Sequence, residues 1–309
     1  MHPQLHAVVI ASYNHEHFIS ACLESVARQT YPFLELVIVD DGSCDKTPDL
    51  IQSFLNTHSN RFLRHIFIKQ PNRGVSAALN HAISKTHARW IHILGSDDII
   101  YPQKVEKQAQ ATMSSTHVTI GMLFADSDLI DEKGSLLRHM NRKRPAPGLH
   151  FEAHRWLIRK NVIPNPTVCI NRDAILTIGG FDESLKVEDL DAWLRLAMQY
   201  PIYRVPELLA STRLHCSNTS KDRRMMFEAL WITLAKFARL HYNALTPAEW
   251  KRAFGSNARR FLRWVRTMRP SKGFFVLKDI ALYRLIPPKP MVFEKYARMC
   301  RALRQKTAH

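Results

Sequence analysis

Leu94-Gly95-Ser96-Asp97-Asp98-Ile99-Ile100-Tyr101-Pro102 places two adjacent carboxylates at the end of an apolar run, Trp90-Ile91-His92-Ile93-Leu94. The run reads as a buried strand. Ligands of open α/β sheets bind at the carboxyl ends of the strands, and two acids there suit a hard divalent cation, Mg²⁺ or Mn²⁺, shared with substrate phosphates. The same residues also suit a turn: Gly-Ser-Asp-Asp is good turn chemistry, and Asp98 would cap the next helix.

The surroundings of this stretch set the fold. Ala7–Ala11, Leu34–Val39, His65–Lys69 and Trp90–Leu94 are short, apolar and partly β-branched, as buried parallel strands are. Helical stretches lie between them, at His17–Gln29, Thr47–Asn56 and Val75–Thr86. This alternation predicts an α/β fold, a mostly parallel sheet of Rossmann type with helices on both faces. Met122–Ile130 reads as a further strand and Asp131-Glu132-Lys133-Gly134 as a hairpin turn. Residues 141–150 read as a basic Pro/Gly loop, and from Met225 onward the pattern is all helical.

Composition narrows the classes. The chain has 309 residues, 46% hydrophobic and 23% charged, the profile of a folded protein with a real core. No apolar run approaches the ~18 residues of a membrane span. Met1-His2-Pro3-Gln4-Leu5-His6 leads straight into a strand, which predicts no signal peptide and a cytoplasmic location. Cys22, Cys44, Cys169, Cys216 and Cys300 include no C-x-x-C pair and read as free thiols of a reducing compartment. The charge is uneven. Residues 1–220 hold 23 Lys+Arg against 22 Asp+Glu, net +1, and residues 221–309 hold 21 against 5, net +16. The tail is therefore expected to meet something anionic.

Further motifs sit at the strand ends. The first strand runs into Ser12-Tyr13-Asn14 and the second into Asp40-Asp41-Gly42-Ser43. An Asp there can accept from a base's ring N–H while Tyr13 stacks on the base; Asp-Gly-Ser is equally a common turn, with Asp45 capping the next helix. In Gln70-Pro71-Asn72-Arg73-Gly74-Val75-Ser76, a helix start behind Arg-Gly favours an anion through free N–H groups and a guanidinium, or is simply a helix start with a surface Arg.

Taken in order, Tyr13-Asn14, Asp40-Asp41-Gly42-Ser43, Asn72-Arg73-Gly74-Val75-Ser76 and Ser96-Asp97-Asp98 resemble the family 2 glycosyltransferases of the GT-A fold, over roughly residues 6–220. The resemblance implies a nucleotide-sugar half over residues 1–125 and an acceptor half over 126–220. Ser12, Tyr13, Asp40 and Asp41 would hold the nucleoside, Arg73 would lie near its phosphates, and Asp97 and Asp98 would hold the metal bridging the diphosphate. Many members carry Asp-x-Asp-Asp, whereas Gly95 stands where the first Asp would be. Ile178-Gly179-Gly180-Phe181-Asp182-Glu183 leads to Val187-Glu188-Asp189-Leu190-Asp191-Ala192-Trp193, where Asp189 matches the family's catalytic base. A carboxylate suits that role. Glu188 joins the acceptor side or stabilises the helix N-terminus, and Asp191 pairs with Arg195 at i,i+4. Asn165 lines the acceptor pocket or forms a proline turn. Arg213-Leu214-His215 resembles the family's closing Arg-x-His segment, with His215 a third metal ligand, a diphosphate contact or a structural histidine.

The expected activity is a metal-dependent, inverting transfer from a nucleotide-diphosphate sugar, a UDP-sugar first, to a hydroxyl of a glycan or lipid-linked acceptor in bacterial surface-polysaccharide synthesis. The alternatives are an inactive GT-A-like module that binds anionic surfaces and a sugar-nucleotide pyrophosphorylase. The latter needs a Gly-rich phosphate loop that Ser12-Tyr13-Asn14-His15-Glu16 lacks.

Residues 221–309 form a basic helical extension. Over Ala248–Met268, Trp250, Phe254, Asn257, Phe261, Val265 and Met268 fall on one stripe, and Arg252, Arg259, Arg263 and Arg266 on the opposite one. Thr246-Pro247-Ala248-Glu249 is a capping box. Three readings compete: a solvated face over a packed subdomain, docking on an anionic membrane surface, and nucleic acid. Trp, Phe and Arg together favour the membrane, on its inner face, and nucleic acid is disfavoured because no recognition motif accompanies the charge.

Overall fold

The computed structural model describes residues 4–114, 117–140, 145–268 and 270–304. It divides into two compact units: residues up to Glu152 with Val162–His215, and Ala153–Asn161 with the chain from Cys216 onward.

The first unit is built on one ten-stranded sheet. Its strands are β1 (His6–Ser12), β2 (Leu34–Asp40), β3 (Arg64–Lys69), β4 (Trp90–Gly95), β5 (Ile99–Ile100), β6 (Met122–Ile130), β7 (Leu136–His139), β8 (Gly148–His150), β9 (Cys169–Asn171) and β10 (Ile202–Arg213). The order is β3-β2-β1-β4-β9-β6-β10-β5, with β7 on β6 and β8 on β10. Strands β3, β2, β1 and β4 are mutually parallel, as the βα alternation requires. The short β9 runs antiparallel between β4 and β6, and β10 returns parallel to β6. The GT-A-like α/β sheet expected from the sequence is present, but it is mixed and not mostly parallel: β5, β7, β8 and β9 all pair antiparallel, because these short strands are not joined by βα crossovers. Edge strand β3 exposes Arg64 and Lys69, charges that discourage pairing with another chain. Of the loop expected at 141–150, residues 141–144 lie outside the described residues, and Gly148–His150 is the strand β8.

Helices α1 (Ile19–Ala27), α2 (Thr47–His58) and α3 (Val75–Lys85) cross between the first four strands, followed by α4 (Lys104–Ser114). Val8, Ile10, Leu36 and Ile38 pack with Ile19, Leu23 and Ile51 in a core on one side of the sheet. Later come α5 (His154–Leu157), α6 (Arg172–Thr177) and α7 (Asp189–Gln199), whose first residue is the sequence-matched base.

A polar cluster lies inside this unit. His6 Nδ1 is 2.9 Å from His92 Nε2, and Lys104 Nζ is 2.8 Å from His92 Nδ1 and donates to the Val168 carbonyl at 3.2 Å. Cys169 Sγ lies 3.7 Å from His92 Nε2, and the edge of Tyr31 faces His6. His6, His92 and Cys169 each bring one potential metal ligand together, but the adjoining lysine opposes a cation there. Burial pushes Lys104 down to about 7. It pushes His6 down to about 3, with the Lys104 charge adding to the effect, and lifts Cys169 to about 12.

The sign for stability follows. Between pH 7 and 9 the unfolded chain keeps its lysine protons while folded Lys104 sheds its own. The unfolded state then binds more protons, and stability rises with pH, by about 2 kcal/mol across the window. Thermal melts should show a higher midpoint at pH 9 than at pH 7, and Lys104→Met should flatten the difference. An unchanged slope in that variant would reject Lys104 as its source.

The second unit consists of α5 with α8 (Arg223–His241), α9 (Pro247–Met268), α10 (Pro270–Leu285) and α11 (Pro290–Arg304). The capping box forms as read: the Thr246 amide and hydroxyl both donate to Glu249 at 2.8 Å. The α9 stripe takes a different place from the one expected. Trp250, Phe254, Phe261 and Val265 are fully buried. Trp231 of α8 and Phe293 and Tyr296 of α11 pack on their rings. The stripe is core and cannot enter a bilayer, whereas Arg252, Arg259, Arg263 and Arg266 stay exposed. Asn257, the one polar residue of the stripe, donates to the Ile158 carbonyl at 2.9 Å and to Ala253 at 3.0 Å. It thereby ties Ala153–Asn161, expected within the acceptor half, to the helical unit. Among the described residues no helix is long and apolar enough to cross a membrane.

Candidate active site

The parallel strands β2, β1 and β4 end together and deliver the sequence motifs to one edge. Ser12 Oγ donates to Asp40 at 2.9 Å, and the Ser43 amide and hydroxyl donate to the same carboxylate at 2.9 and 2.7 Å. Asn14, in the left-handed region at φ 50°, donates its amide to Ser43 Oγ and accepts the Cys44 amide on its side chain. These bonds fix the two loops as a wall from which Tyr13 projects, 45% exposed, free to lie against a planar ring.

Asp41 is bonded within the chain. Its carboxylate accepts the Arg73 amide at 2.9 Å, the Gly74 amide at 2.8 Å and the Gln70 side chain at 2.8 Å. The amides of Arg73 and Gly74, just ahead of α3, are thus already satisfied by an internal carboxylate. Gly74 sits at φ 90°, a conformation glycine adopts without strain. The Arg73 guanidinium donates to Glu183 at 3.1 Å on the exposed surface.

The acidic pair after β4 separates into two roles. Asp97 Oδ2 lies 2.9 Å from His215 Nε2, and His15 joins them, so that His15, Asp97 and His215 each offer a ligand atom within 4.8 Å of the others. His15 Nδ1 is held 2.7 Å from Ser96 Oγ, and its ring stands perpendicular to that of His215. Burial acts to raise the Asp97 carboxyl, but the His215 hydrogen bond and the two imidazoles hold it below the ordinary carboxylate value. Asp98 instead accepts the Arg213 amide at 2.8 Å and is 7% exposed. Burial and the Asp97 charge drive its carboxyl well above the ordinary value.

Arg213 holds this corner. Its Nε donates to the Asp97 carbonyl at 2.8 Å, its Nη1 reaches the carbonyls of Asp131 and Glu132 at 3.1 and 2.9 Å, and its guanidinium lies over the Phe18 ring. Gly95 has a local reason as well: a Cβ there would stand 2.8 Å from Asp97 Oδ1. A side chain at 95 is incompatible with Asp97 as it is placed.

At the start of α7, Glu188 is 9% exposed and precedes half-buried Asp189. Burial, and secondarily the charge of Asp189, push Glu188 up to about 7. The Asp191–Arg195 pair forms at 2.7 Å, and Arg195 also donates to the Ile178 carbonyl at 2.6 Å, fastening α7 to the preceding loop. Asn80 of α3 fastens that loop from the other side: it accepts the Phe181 amide and donates to the Phe181 carbonyl, both at 2.8 Å, and donates to Glu183 at 3.1 Å. Asn165 lies half-buried in the 165–167 turn, which packs on β4, β6 and β10. Sequence reading missed His15, Asn80, Glu183 and the extent of Arg213's contacts. His15 carries no local signal, because its partners are 82 and 200 residues away and meet only through the sheet order.

A family model for glycosyl transferase family 2 matches residues 7–177. The O-antigen biosynthesis glycosyltransferase WbnJ of Escherichia coli is 26% identical over 235 residues, 75% of this chain and 88% of the relative. The putative teichuronic acid biosynthesis glycosyltransferase TuaG of Bacillus subtilis is 27% identical over 241 residues, 78% of this chain and 91% of the relative. Among solved structures, the mannosyltransferase PcManGT of Pyrobaculum calidifontis, in complex with GDP-Man and Mn²⁺, superposes with a TM-score of 0.59 at 18% identity, covering 98% of this chain and 86% of that one. TarS of S. aureus does so with a TM-score of 0.60 at 19% identity, covering 86% of this chain but 44% of that one. The chain belongs to glycosyl transferase family 2 and is a glycosyltransferase enzyme with a GT-A fold.

Proposed function

We propose that this chain is an inverting, metal-dependent glycosyltransferase that moves a sugar from a nucleotide-diphosphate donor to a hydroxyl of a glycan or lipid-linked acceptor. The observation that carries the reading is the placement of the Asp97 carboxylate beside His15 and His215 at the carboxyl edge of the sheet. A nitrogen-rich donor set suits Mn²⁺ better than Mg²⁺, which prefers oxygen and water. When bound, the divalent ion neutralises charge gathering on the departing nucleoside diphosphate. Ser12, Tyr13 and Asp40 shape the nucleoside wall, and Arg73, on leaving exposed Glu183, would pair with a phosphate of the donor. Asp189 takes the acceptor hydroxyl's proton as that oxygen displaces the diphosphate from the anomeric carbon, which inverts the centre. Asn165 and Glu188 border the acceptor.

The relatives named for O-antigen and teichuronic acid synthesis support an acceptor on the way to a surface polysaccharide. They also support action at the inner face of the cytoplasmic membrane, which the basic tail suits. Solved neighbours carry GDP-Man or UDP-GlcNAc, so both bases belong in the test, with UDP first. The test is thermal stabilisation by UDP-, GDP- and dTDP-sugars with and without Mn²⁺. A true donor at 100 times its dissociation constant adds about 2.7 kcal/mol. A metal-dependent shift with one nucleotide is the expected result; no shift with any of them, in either condition, rejects the donor site.

A further inference from the structure

The helical unit presents an apolar surface where the sequence pattern did not point. On α10, Val276, Asp279 and Ile280 turn inward and are at most 9% exposed. On the other side Leu277, Leu282 and Leu285 are 40, 44 and 77% exposed, and Ile286 and Met291, across the Pro287-Pro288-Lys289-Pro290 turn, are 48 and 73% exposed. Spacings of three and four along 278, 282 and 285 put exposed Lys278 on the same helix face as the two leucines. Arg284 and Lys289 are exposed beside them. From residue 250 to 304 the acids are Asp279 and Glu294, neither classed as exposed, and each bonded to a base, Lys295 and Arg239 respectively. The exposed side chains of this stretch are therefore mostly aliphatic and cationic, with one aromatic, Phe275 at 55% exposed, and no acid of the stretch is exposed among the described residues.

We propose that this face of α10 and the turn into α11 is a docking surface for an anionic phospholipid bilayer, with Leu282, Leu285, Ile286 and Met291 entering the headgroup boundary and Lys278, Arg284 and Lys289 meeting lipid phosphates. The proposal deepens the peripheral-membrane part of the reading above and moves the contact from α9, whose aromatic stripe is consumed by the core. The charge is complementary to anionic lipid, and the net +16 of residues 221–309 draws the unit to such a surface. The aliphatic component decides the kind of partner. Nucleic acid rewards cations and stacking aromatics and gains nothing from exposed Leu, Ile and Met, whereas a bilayer boundary buries them. Large aliphatic side chains left exposed in such number along one stretch are also costly in water.

The experiment uses the full chain and sedimentation with two kinds of vesicle, phosphatidylcholine alone and phosphatidylcholine with phosphatidylglycerol. Wild type should bind the anionic vesicles, less so as salt rises. Leu285→Ser/Ile286→Ser/Met291→Ser should weaken that binding at least about tenfold, since it removes three aliphatic side chains that the bilayer boundary would bury. These side chains are exposed, so the melting midpoint of the variant should match wild type. Equal binding to both vesicles, binding unchanged in the triple variant, or a preference for RNA over anionic vesicles would overturn the proposal. Donor-induced thermal stabilisation, read on the same protein without lipid, reports on the transferase reading separately, so failure of one is distinguishable from failure of the other.

Discussion

Asp189→Asn should lower turnover on the order of 10²- to 10⁴-fold, the range for loss of a general base, while donor affinity stays as in wild type. Asparagine keeps the shape and can still hydrogen-bond, but it cannot accept the acceptor's proton. The neighbouring Glu188 gives this prediction an independent readout. Its carboxyl, ordinarily near 4.5, is pushed up to about 7 by burial and then by the charge of Asp189. Removing that charge should lower the Glu188 pKa, which a purely structural role for Asp189 also allows; the collapse of turnover is what it does not allow. The sign for stability is opposite to that of Lys104. A raised acid binds more protons folded than unfolded, so its contribution fades as pH rises from 4.5 to 7. Glu188→Gln should therefore stabilise the protein at pH 8 by up to about 3 kcal/mol and change little at pH 4. Turnover of Asp189→Asn near wild type would assign the base to another residue and leave Asp189 as a helix-end charge.

Much of the first unit was legible because its signals are local. Four apolar runs with helices between them specify parallel strands, and parallel strands bring their carboxyl ends to one edge, so Ser12, Asp40 and Asp97 had to converge there. The roles within that edge were less legible. Asp41 and Arg73 look like ligand-binding groups by type, yet the Asp41 carboxylate closes on the Arg73 and Gly74 amides in the folded chain. Side-chain types do not reveal which hydrogen bonds are already satisfied internally. The division between Asp97 and Asp98 depends on Arg213, 115 residues further on, arriving to donate its amide to Asp98. The tail shows the same limit. Helical periodicity identified an apolar stripe on α9 correctly but could not say whether protein or lipid covers it, because both bury the same residues. Partners supplied by α8 and α11 settle it, and the exposed aliphatics of α10 fall where the amphipathic pattern is weak.

Asp97→Ala should abolish Mn²⁺-dependent donor binding and leave the fold intact. The residue sits in a loop past the end of β4, and its carboxylate is the acid of the pair that faces His15 and His215. Losing the one anionic ligand of a three-residue set removes most of the attraction for a divalent ion. Asp97→Asn should be similar or milder, since the amide oxygen retains weak ligand character. His215→Ala should weaken the metal by a smaller factor, because a neutral imidazole contributes no charge. Removing Asp98 should also abolish metal-dependent binding, but by a different route: without its carboxylate the Arg213 amide loses its acceptor, and the 97–98 loop is held to β10 less firmly, with the Arg213 Nε bond to the Asp97 carbonyl remaining. The two routes separate experimentally. Excess Mn²⁺ should restore donor binding in Asp98→Asn, where the ligands persist, and should not in Asp97→Ala. Full transfer activity in an Asp97→Ala/Asp98→Ala double variant would remove the metal site from the mechanism. Rescue of both single variants by metal alone would mean that neither carboxylate is a direct ligand and that the histidines hold the ion.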